Sequence, residues 1–172
     1  MPPKIVYHFS EDPSIATFEP RRPRAYPDMP PVVWALDQEH AVHYYFPRDC
    51  PRVIYTKSED ASPADIARFF DGSTADKIIA VESRWLERIR SVRLYAYAFD
   101  GALFDPADGT AGYYVSHRTV TPLGVEPVGD LLERIASTGT ELRLTPSLVP
   151  LRDAVIASTL KFSVIRYSNA VK

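Results

Sequence analysis

The stretch VVWALDQEHAVHYYFPRDCPRV, Val32 to Val53, constrains this chain more than any other. Val32–Leu36 is a β-prone apolar run, followed by Asp37 and, ten residues on, by Pro47. An Asp in that position opens a helix, because its carboxylate accepts from the unpaired N–H groups of the first turn. A proline closes it by pushing the preceding residue out of the helical region. The pattern predicts a strand (Val32–Leu36), a helix (Gln38–Phe46), a Pro-bounded basic turn and a second strand (Arg52–Lys57). At about 100° per residue, Ala41, Val42, Tyr45 and Phe46 share an inward side. His40, His43 and Tyr44 share the other, with Asp37 near its start. That second side is polar yet aromatic, which suits a cleft wall as well as open solvent.

The totals bound what surrounds this stretch. At 172 residues and 45% apolar content, one α+β domain over residues 1–172 is expected. A net charge of −2 lacks the electrostatic footprint of a duplex-DNA binder. The apolar runs are too short for a membrane span, and the N-terminal MPPKIVYHFS has no hydrophobic signal region. With one cysteine there is no internal disulfide, which fits a reducing cytoplasm. The oligomeric state is not legible.

Outside the central stretch, Lys4–Phe9 reads as a strand ending near His8, and Ser14–Phe18 as one short helical turn after Pro13. Glu19–Pro31 (EPRRPRAYPDMPP) is a stiff loop carrying Arg21, Arg22 and Arg24. Ser62-Pro63-Ala64-Asp65 opens a helix running to Gly72. Lys77–Val81 reads as a strand followed by a helix over Ser83–Ser91, with one continuous helix over Asp76–Val92 as the alternative, and Arg93–Phe99 as a strand. A short β segment is expected at Ala102–Phe104 and strands at Tyr113–Ser116 and Val120–Pro127. Asp130–Ser137 is a helix stopped by Gly139. Glu141–Leu144 is a strand or a connection, Pro146–Leu160 a helix, and Lys161–Tyr167 extended.

Several side chains in this layout carry chemistry. His8 can donate to a ribose hydroxyl from one ring nitrogen while the backbone or a side chain holds the other. The three loop arginines offer guanidinium forks that match diphosphate oxygens, or a solvated basic loop. His40 and His43, three apart, are neighbours on a helix; with Asp37 and Cys50 they are a conceivable zinc set, but neither HExxH nor CxxC spacing is present. No metal is therefore expected. Arg48-Asp49-Cys50-Pro51-Arg52 is a rigid turn, readable as a local salt bridge or an anion clamp. Cys50 is either a small hydrophobe or, beside two arginines, an activated nucleophile. His117 and Arg118 sit in a strand connection, and Tyr95, Tyr97, Tyr113 and Tyr114 read as cross-strand packing.

A strand ending in YHFS, an Arg-bearing loop, VWALD leading into an Ala/Tyr-containing helix, and the later paired strands of GYYVSHRTVTPLGVEPV resemble the ADP-ribosyltransferase-like superfamily. Within it the RNA 2'-phosphotransferases and the toxin-type DNA ADP-ribosyltransferases are the nearest in pattern. The signatures YHFSEDP and FPRDCPRV look like those of a small bacterial family. The resemblance covers residues 4 to 128. It implies a split, mainly antiparallel sheet flanked by helices, with NAD as ligand and a nucleotide or an RNA end as partner. By it, His8 matches the histidine that holds the nicotinamide ribose, and Tyr44 or Tyr45 an aromatic that encloses the nicotinamide. Arg21, Arg22 or Arg24 would reach a ribose or phosphate.

The candidate catalytic set is His8, His43 and Tyr44. Tyr7, Tyr45, Arg48 and Arg52 join His8, Tyr44 and the loop arginines as ligand contacts. The family's glutamate near the start of a late strand has no counterpart, since Thr110, Ala111 and Gly112 precede Tyr113. The expected reaction is cleavage or transfer at the nicotinamide–ribose bond, or an RNA 2'-phosphotransferase-like step. The alternatives are a non-catalytic binding or regulatory module of the same fold, and a metal-dependent hydrolase using Asp37, His40 and His43.

Overall fold

Four β-prone runs, IVYHFS, VWAL, RVIYT and KIIAVE, punctuate the N-terminal half of the chain. In the computed structural model, which describes residues 3–109 and 111–172, ten strands and four α-helices follow in order. They are β1 (Ile5–Ser10), β2 (Val33–Leu36), β3 (Arg52–Thr56), α1 (Pro63–Phe70), β4 (Lys77–Glu82), α2 (Leu86–Ser91), β5 (Tyr95–Asp100) and β6 (Asp105–Asp108). β7 (Tyr113–Ser116), β8 (Gly124–Pro127), α3 (Leu131–Ser137), β9 (Glu141–Thr145), α4 (Val149–Ile156) and β10 (Lys161–Ile165) complete the chain. The chain is thus mixed α+β, as its sequence pattern leads one to expect, and its strands pair mainly antiparallel.

Two compact units divide the chain, Met1–Tyr45 with Arg93–Gly129 and Phe46–Val92 with Asp130–Lys172. The first holds a six-stranded antiparallel sheet in the order β6-β7-β2-β1-β5-β8. Register fixes its two faces. His8 lies opposite Tyr97 and Val6 opposite Phe99 across β1 and β5. Because side chains alternate along a strand, Val6, His8, Val33, Ala35, Tyr97 and Phe99 share one face. Val6, Val33, Ala35, Tyr97 and Phe99 pack there under Phe18, Phe104 and Val120 as the core of the unit. Tyr7, Phe9, Trp34, Leu36 and Tyr113 occupy the opposite face.

The second unit holds all four α-helices and a four-stranded sheet, order β10-β3-β4-β9, with β4 and β9 parallel. β4 is apolar without alternation because both its faces are covered: Ile78, Ile79, Ala80 and Val81 are all fully buried. Phe69 and Phe70 of α1 and Val155 of α4 pack with Val53, Tyr55 and Ile78 of the sheet. Ser62 caps α1 by accepting from the Asp65 N–H at 3.1 Å, the pattern its sequence predicts. Gly139 follows α3 with φ +77°, the left-handed stop expected of it.

Four expected segments need correction. The helix over Gln38–Phe46 is only a single 3₁₀ turn, Ala41–Tyr44. The Asp37 carboxylate caps the His40 N–H, but the bonds beyond are of the tight i to i+3 kind (His43 N–H to His40, Tyr45 N–H to Val42). The short turn at Ser14–Phe18 is not helical either. Ser10 and Asp12 side chains take the Asp12 and Ser14 N–H groups, and Phe18 bridges to Val120. Ala102–Phe104 is not β; a 3₁₀ turn over Gly101–Leu103 is capped by Asp100, and the strand follows at Asp105–Asp108. The helix expected over Pro146–Leu160 is confined to Val149–Ile156. Among the described residues, no helix is long and apolar enough to cross a membrane.

Candidate functional site

The two central strands of the first sheet, β1 and β2, pair through one residue pair, Tyr7 with Leu36. Beyond that pair a side chain links them: His8 Nδ1 lies 2.9 Å from the Trp34 carbonyl oxygen. A carbonyl only accepts, so Nδ1 carries a proton. The sequence reading has His8 donating to a ribose hydroxyl; its Nδ1 donor is instead taken by the Trp34 carbonyl. Its ring also meets Phe18 edge-on, with centroids 5.0 Å apart.

Phe18 leads into the arginine loop, whose first arginine is pinned to the start of β2. Arg21 and Val32 exchange two backbone hydrogen bonds of 3.0 Å. The loop therefore leaves from the same end of β1 and β2 as the His8 bridge. Arg21, Arg22 and Arg24 are exposed, and Arg22 Nη1 donates to the Pro27 carbonyl at 3.0 Å, folding the loop on itself.

The opposite end of β2 carries a second histidine. The Asp37 N–H donates to the Gly112 carbonyl at 3.1 Å, continuing the β2–β7 ladder one residue past the strand. Alternation along that ladder carries Asp37 to the side of Ala35, the His8 side. Asp37 Oδ1 accepts from the His40 backbone N–H at 2.8 Å and lies 2.7 Å from His40 Nδ1. Gly112 has φ +69°, and a Cβ built on it would fall 2.3 Å from His40 Nδ1. The imidazole thus occupies the space of a side chain at the start of β7. Thr110, part of the segment where an acid was sought, lies outside the described residues.

The tyrosines go elsewhere. Tyr44 and Tyr113 hydroxyls meet at 2.6 Å, and Tyr113 packs edge-on against Trp34. Tyr45 packs edge-on against Phe9 with centroids 5.5 Å apart. Tyr44, Tyr45 and Tyr7 therefore belong to the face opposite His8, and the expected common wall of His8 with a His40/His43/Tyr44 helix side does not form. Without an α-helix, consecutive residues of the tight turn diverge. His43 is 5% exposed and meets His40 edge-on at 5.3 Å.

Arg48 and Arg52 belong to the second unit. Arg48 is exposed. Arg52 is 1% exposed, donates from Nη1 to the Cys50 carbonyl at 2.7 Å and stacks over Phe46. That burial corrects its reading as an anion clamp: the guanidinium is built into the strand it opens. Cys50 is fully buried, and burial pushes its thiol up to about 12 in spite of Arg52. The activated-nucleophile reading fails for the same reason, since a thiolate there would be desolvated. Glu82, also fully buried, accepts from the Val171 N–H at 2.8 Å and pairs with Arg84. Among the described residues, no three His, Cys, Asp or Glu side chains converge in a way that could hold a metal ion, the Asp37/His40/His43 set included.

Sequence reasoning missed Phe18 and Gly112, both of which shape the surroundings of the histidines. A glycine immediately before a strand, ahead of YYVS, was the available signal for the second. No curated protein and no solved structure matches the chain. The sequence model described as a family of unknown function (DUF6886) matches residues 7–170.

Proposed function

We propose, for a chain that belongs to the DUF6886 family of unknown function, that its first unit binds a nucleotide of the NAD type beside the junction of β1 and β2. His8 contacts a ribose hydroxyl there, and the exposed arginines 21, 22 and 24 approach the phosphates. The reaction is cleavage or transfer at the nicotinamide–ribose bond on an ADP-ribosyltransferase-like framework. One observation carries the reading: the His8 imidazole, fixed through Nδ1 to the Trp34 carbonyl at 2.9 Å where β1 and β2 cease to pair. A histidine held this way has its ring orientation fixed before a ligand arrives. The arginine loop, anchored at Phe18 and at Arg21–Val32, begins at the same strand ends.

Thermal shift of the purified protein against NAD, ADP-ribose and unrelated nucleotides, followed by a nicotinamide-release assay, tests this. Stabilisation by NAD and ADP-ribose with release of nicotinamide is the expected outcome; no shift with any nucleotide refutes it. A second reading, a ligand-binding module of the same fold without turnover, is favoured by Gly112, because no carboxylate directly precedes β7. It predicts the shift without the release. Transfer of an RNA 2'-phosphate, the related chemistry, is separated by assaying a 2'-phosphorylated oligonucleotide in parallel.

A further inference from the structure

We propose that Arg118, in the turn after β7, is a ligand-binding residue that meets Arg21 on the diphosphate of the bound nucleotide. The inference rests on the nucleotide reading above and supplies the side of the site opposite the arginine loop. Backbone alternation places the two residues. In an antiparallel ladder the N–H and C=O of one residue point to the same neighbouring strand, and those of the next residue to the other. Asp37 bonds towards β7, through the Gly112 carbonyl, so Val33 and Ala35 face β7 as well. Leu36, Trp34 and Val32 therefore face the side of β1, where they meet in turn Tyr7, the His8 imidazole and the Arg21 backbone. Arg21 thus continues the line of β1 beyond the His8 bridge. On the other side of β2, Ser116 stands opposite Val33. Arg21 and the end of β7 flank the first residues of β2, two strand spacings or about 10 Å apart. The turn that carries Arg118 is pinned at both ends, Ser116 by β2 and Val120 by two backbone hydrogen bonds with Phe18 of 2.9 and 3.0 Å. Phe18 lies just ahead of Arg21, so this turn and the arginine loop share a root.

Charge singles out the same end of the sheet. All five arginines of the first unit, Arg21, Arg22, Arg24, Arg93 and Arg118, lie where β1 and β7 end and β2 and β5 begin. Glu11, Asp12, Glu19 and Asp28 stand near this end too, but Asp12 is engaged by the N–H and hydroxyl of Ser14. Among the described residues, no acid pairs with Arg21 or Arg118 and neither guanidinium has a hydrogen-bond acceptor, although both residues are exposed. In the second unit, by contrast, Arg84, Arg90, Arg143 and Arg152 each pair with a carboxylate. Two guanidinium forks on either side of one strand start, with no protein anion between them, match the oxygens of a diphosphate, one fork to each phosphate.

The test is calorimetric titration of ADP-ribose and of inorganic pyrophosphate into wild type, Arg118→Gln, Arg21→Gln and Lys4→Gln. Lys4 precedes β1 at the opposite end of the sheet, so Lys4→Gln removes the same charge away from the site. Arg118 is exposed, and its variant should melt with the wild type. We expect Arg118→Gln and Arg21→Gln each to weaken ADP-ribose about tenfold or more, as loss of a hydrogen bond between charged groups does, and pyrophosphate with it. Lys4→Gln should bind both as the wild type does. ADP-ribose held equally by wild type and Arg118→Gln overturns the inference and leaves the nucleotide reading standing. An equal loss in Lys4→Gln does the same, because net charge then accounts for the effect. Pyrophosphate bound through Arg118, with no binding of ADP-ribose, overturns the nucleotide reading and keeps the diphosphate site. A wild type that binds neither overturns both.

Discussion

Gly112 and His40 are so close that one excludes a side chain on the other: an ideal Cβ at 112 lies 2.3 Å from His40 Nδ1 and 2.4 Å from its Cγ. Gly112→Ala therefore meets two costs, the left-handed backbone, about 1–2 kcal/mol, and displacement of the ring. We expect urea denaturation to show a loss of at least that size, and the Asp37–His40 hydrogen bond to be lost from the nitrogen-15 spectrum. Unchanged stability would mean that the strand start relaxes freely.

His8 has two jobs that can be pulled apart. His8→Asn keeps a donor at the Nδ1 position for the Trp34 carbonyl and removes Nε2; His8→Ala removes both. The first should melt close to wild type and lose the NAD-induced shift. The second should also lose about 1 kcal/mol, the usual worth of one hydrogen bond. A His8→Asn protein that still shifts with NAD would remove His8 from the ligand contacts.

Tyr97 ties the segment after β1 to the sheet. Its fully buried ring carries a hydroxyl that accepts from the Ile15 N–H at 3.1 Å and donates to the Asp12 carbonyl. Tyr97→Phe leaves both groups without that partner, and a loss of about 1–3 kcal/mol is expected. Hydrogen exchange at Ile15 should quicken in the variant; protection unchanged there would show that the hydroxyl is not what holds the segment.

These residues show what was legible and what was not. Short runs of β-prone residues (IVYHFS, RVIYT, KIIAVE, YYVS) announce their strands, and Ser62 and Asp130 announce their helices, because each signal is local. The Gln38–Phe46 helix failed because Asp37 and the apolar spacing carry the same marks for an α-helix as for one tight turn. What decides is the Asp37 to Gly112 backbone bond, made by a residue 75 positions away. DPAD, all exposed, has no apolar signal, and β6 exists only through pairing with β7. For the site, residue types were readable but sidedness was not. His8 and Tyr7 are neighbours in sequence and lie on opposite faces, and Arg52, charged and therefore expected outside, is buried by Cys50 and Phe46.

Cys50 gives a prediction in pH. Its thiol titrates near 12 when folded, against about 8.5 in an unfolded chain. The folded state thus holds its proton longer. Below about pH 8.5 this group has no effect on stability, and above it stability falls as pH rises towards 12. Cys50→Ala should flatten that alkaline decline in a series of denaturation midpoints. In the native wild type at pH 8, iodoacetamide should leave Cys50 unmodified; rapid labelling would contradict its burial.

Asp65 predicts the opposite limb. The Thr159 hydroxyl donates to its Oδ2 at 2.6 Å, and the Thr159 N–H at 2.8 Å, which hold its carboxyl below the usual value. A depressed folded value means stability that is present above about pH 4 and lost as pH falls through the folded value. The group is only half-buried, so the effect is small. Melting of wild type and Asp65→Asn should differ at pH 6 and converge at pH 2–3; equal curves at pH 6 would remove the contact.

Neither sheet is completed by a continuous stretch of chain. β1 waits for β5, which begins 85 residues past its own end, and the β10 edge joins β3 only through Lys161–Ile165. During synthesis, then, β1 leaves the ribosome long before its main partner exists, and β3 waits about 100 residues for its β10 edge. Cutting the gene anywhere between these pairs yields fragments with orphaned strand edges, prone to stick to one another. Expression trials should accordingly favour the intact reading frame, and fragments supplied on two plasmids would recover a folded product only when both are made together.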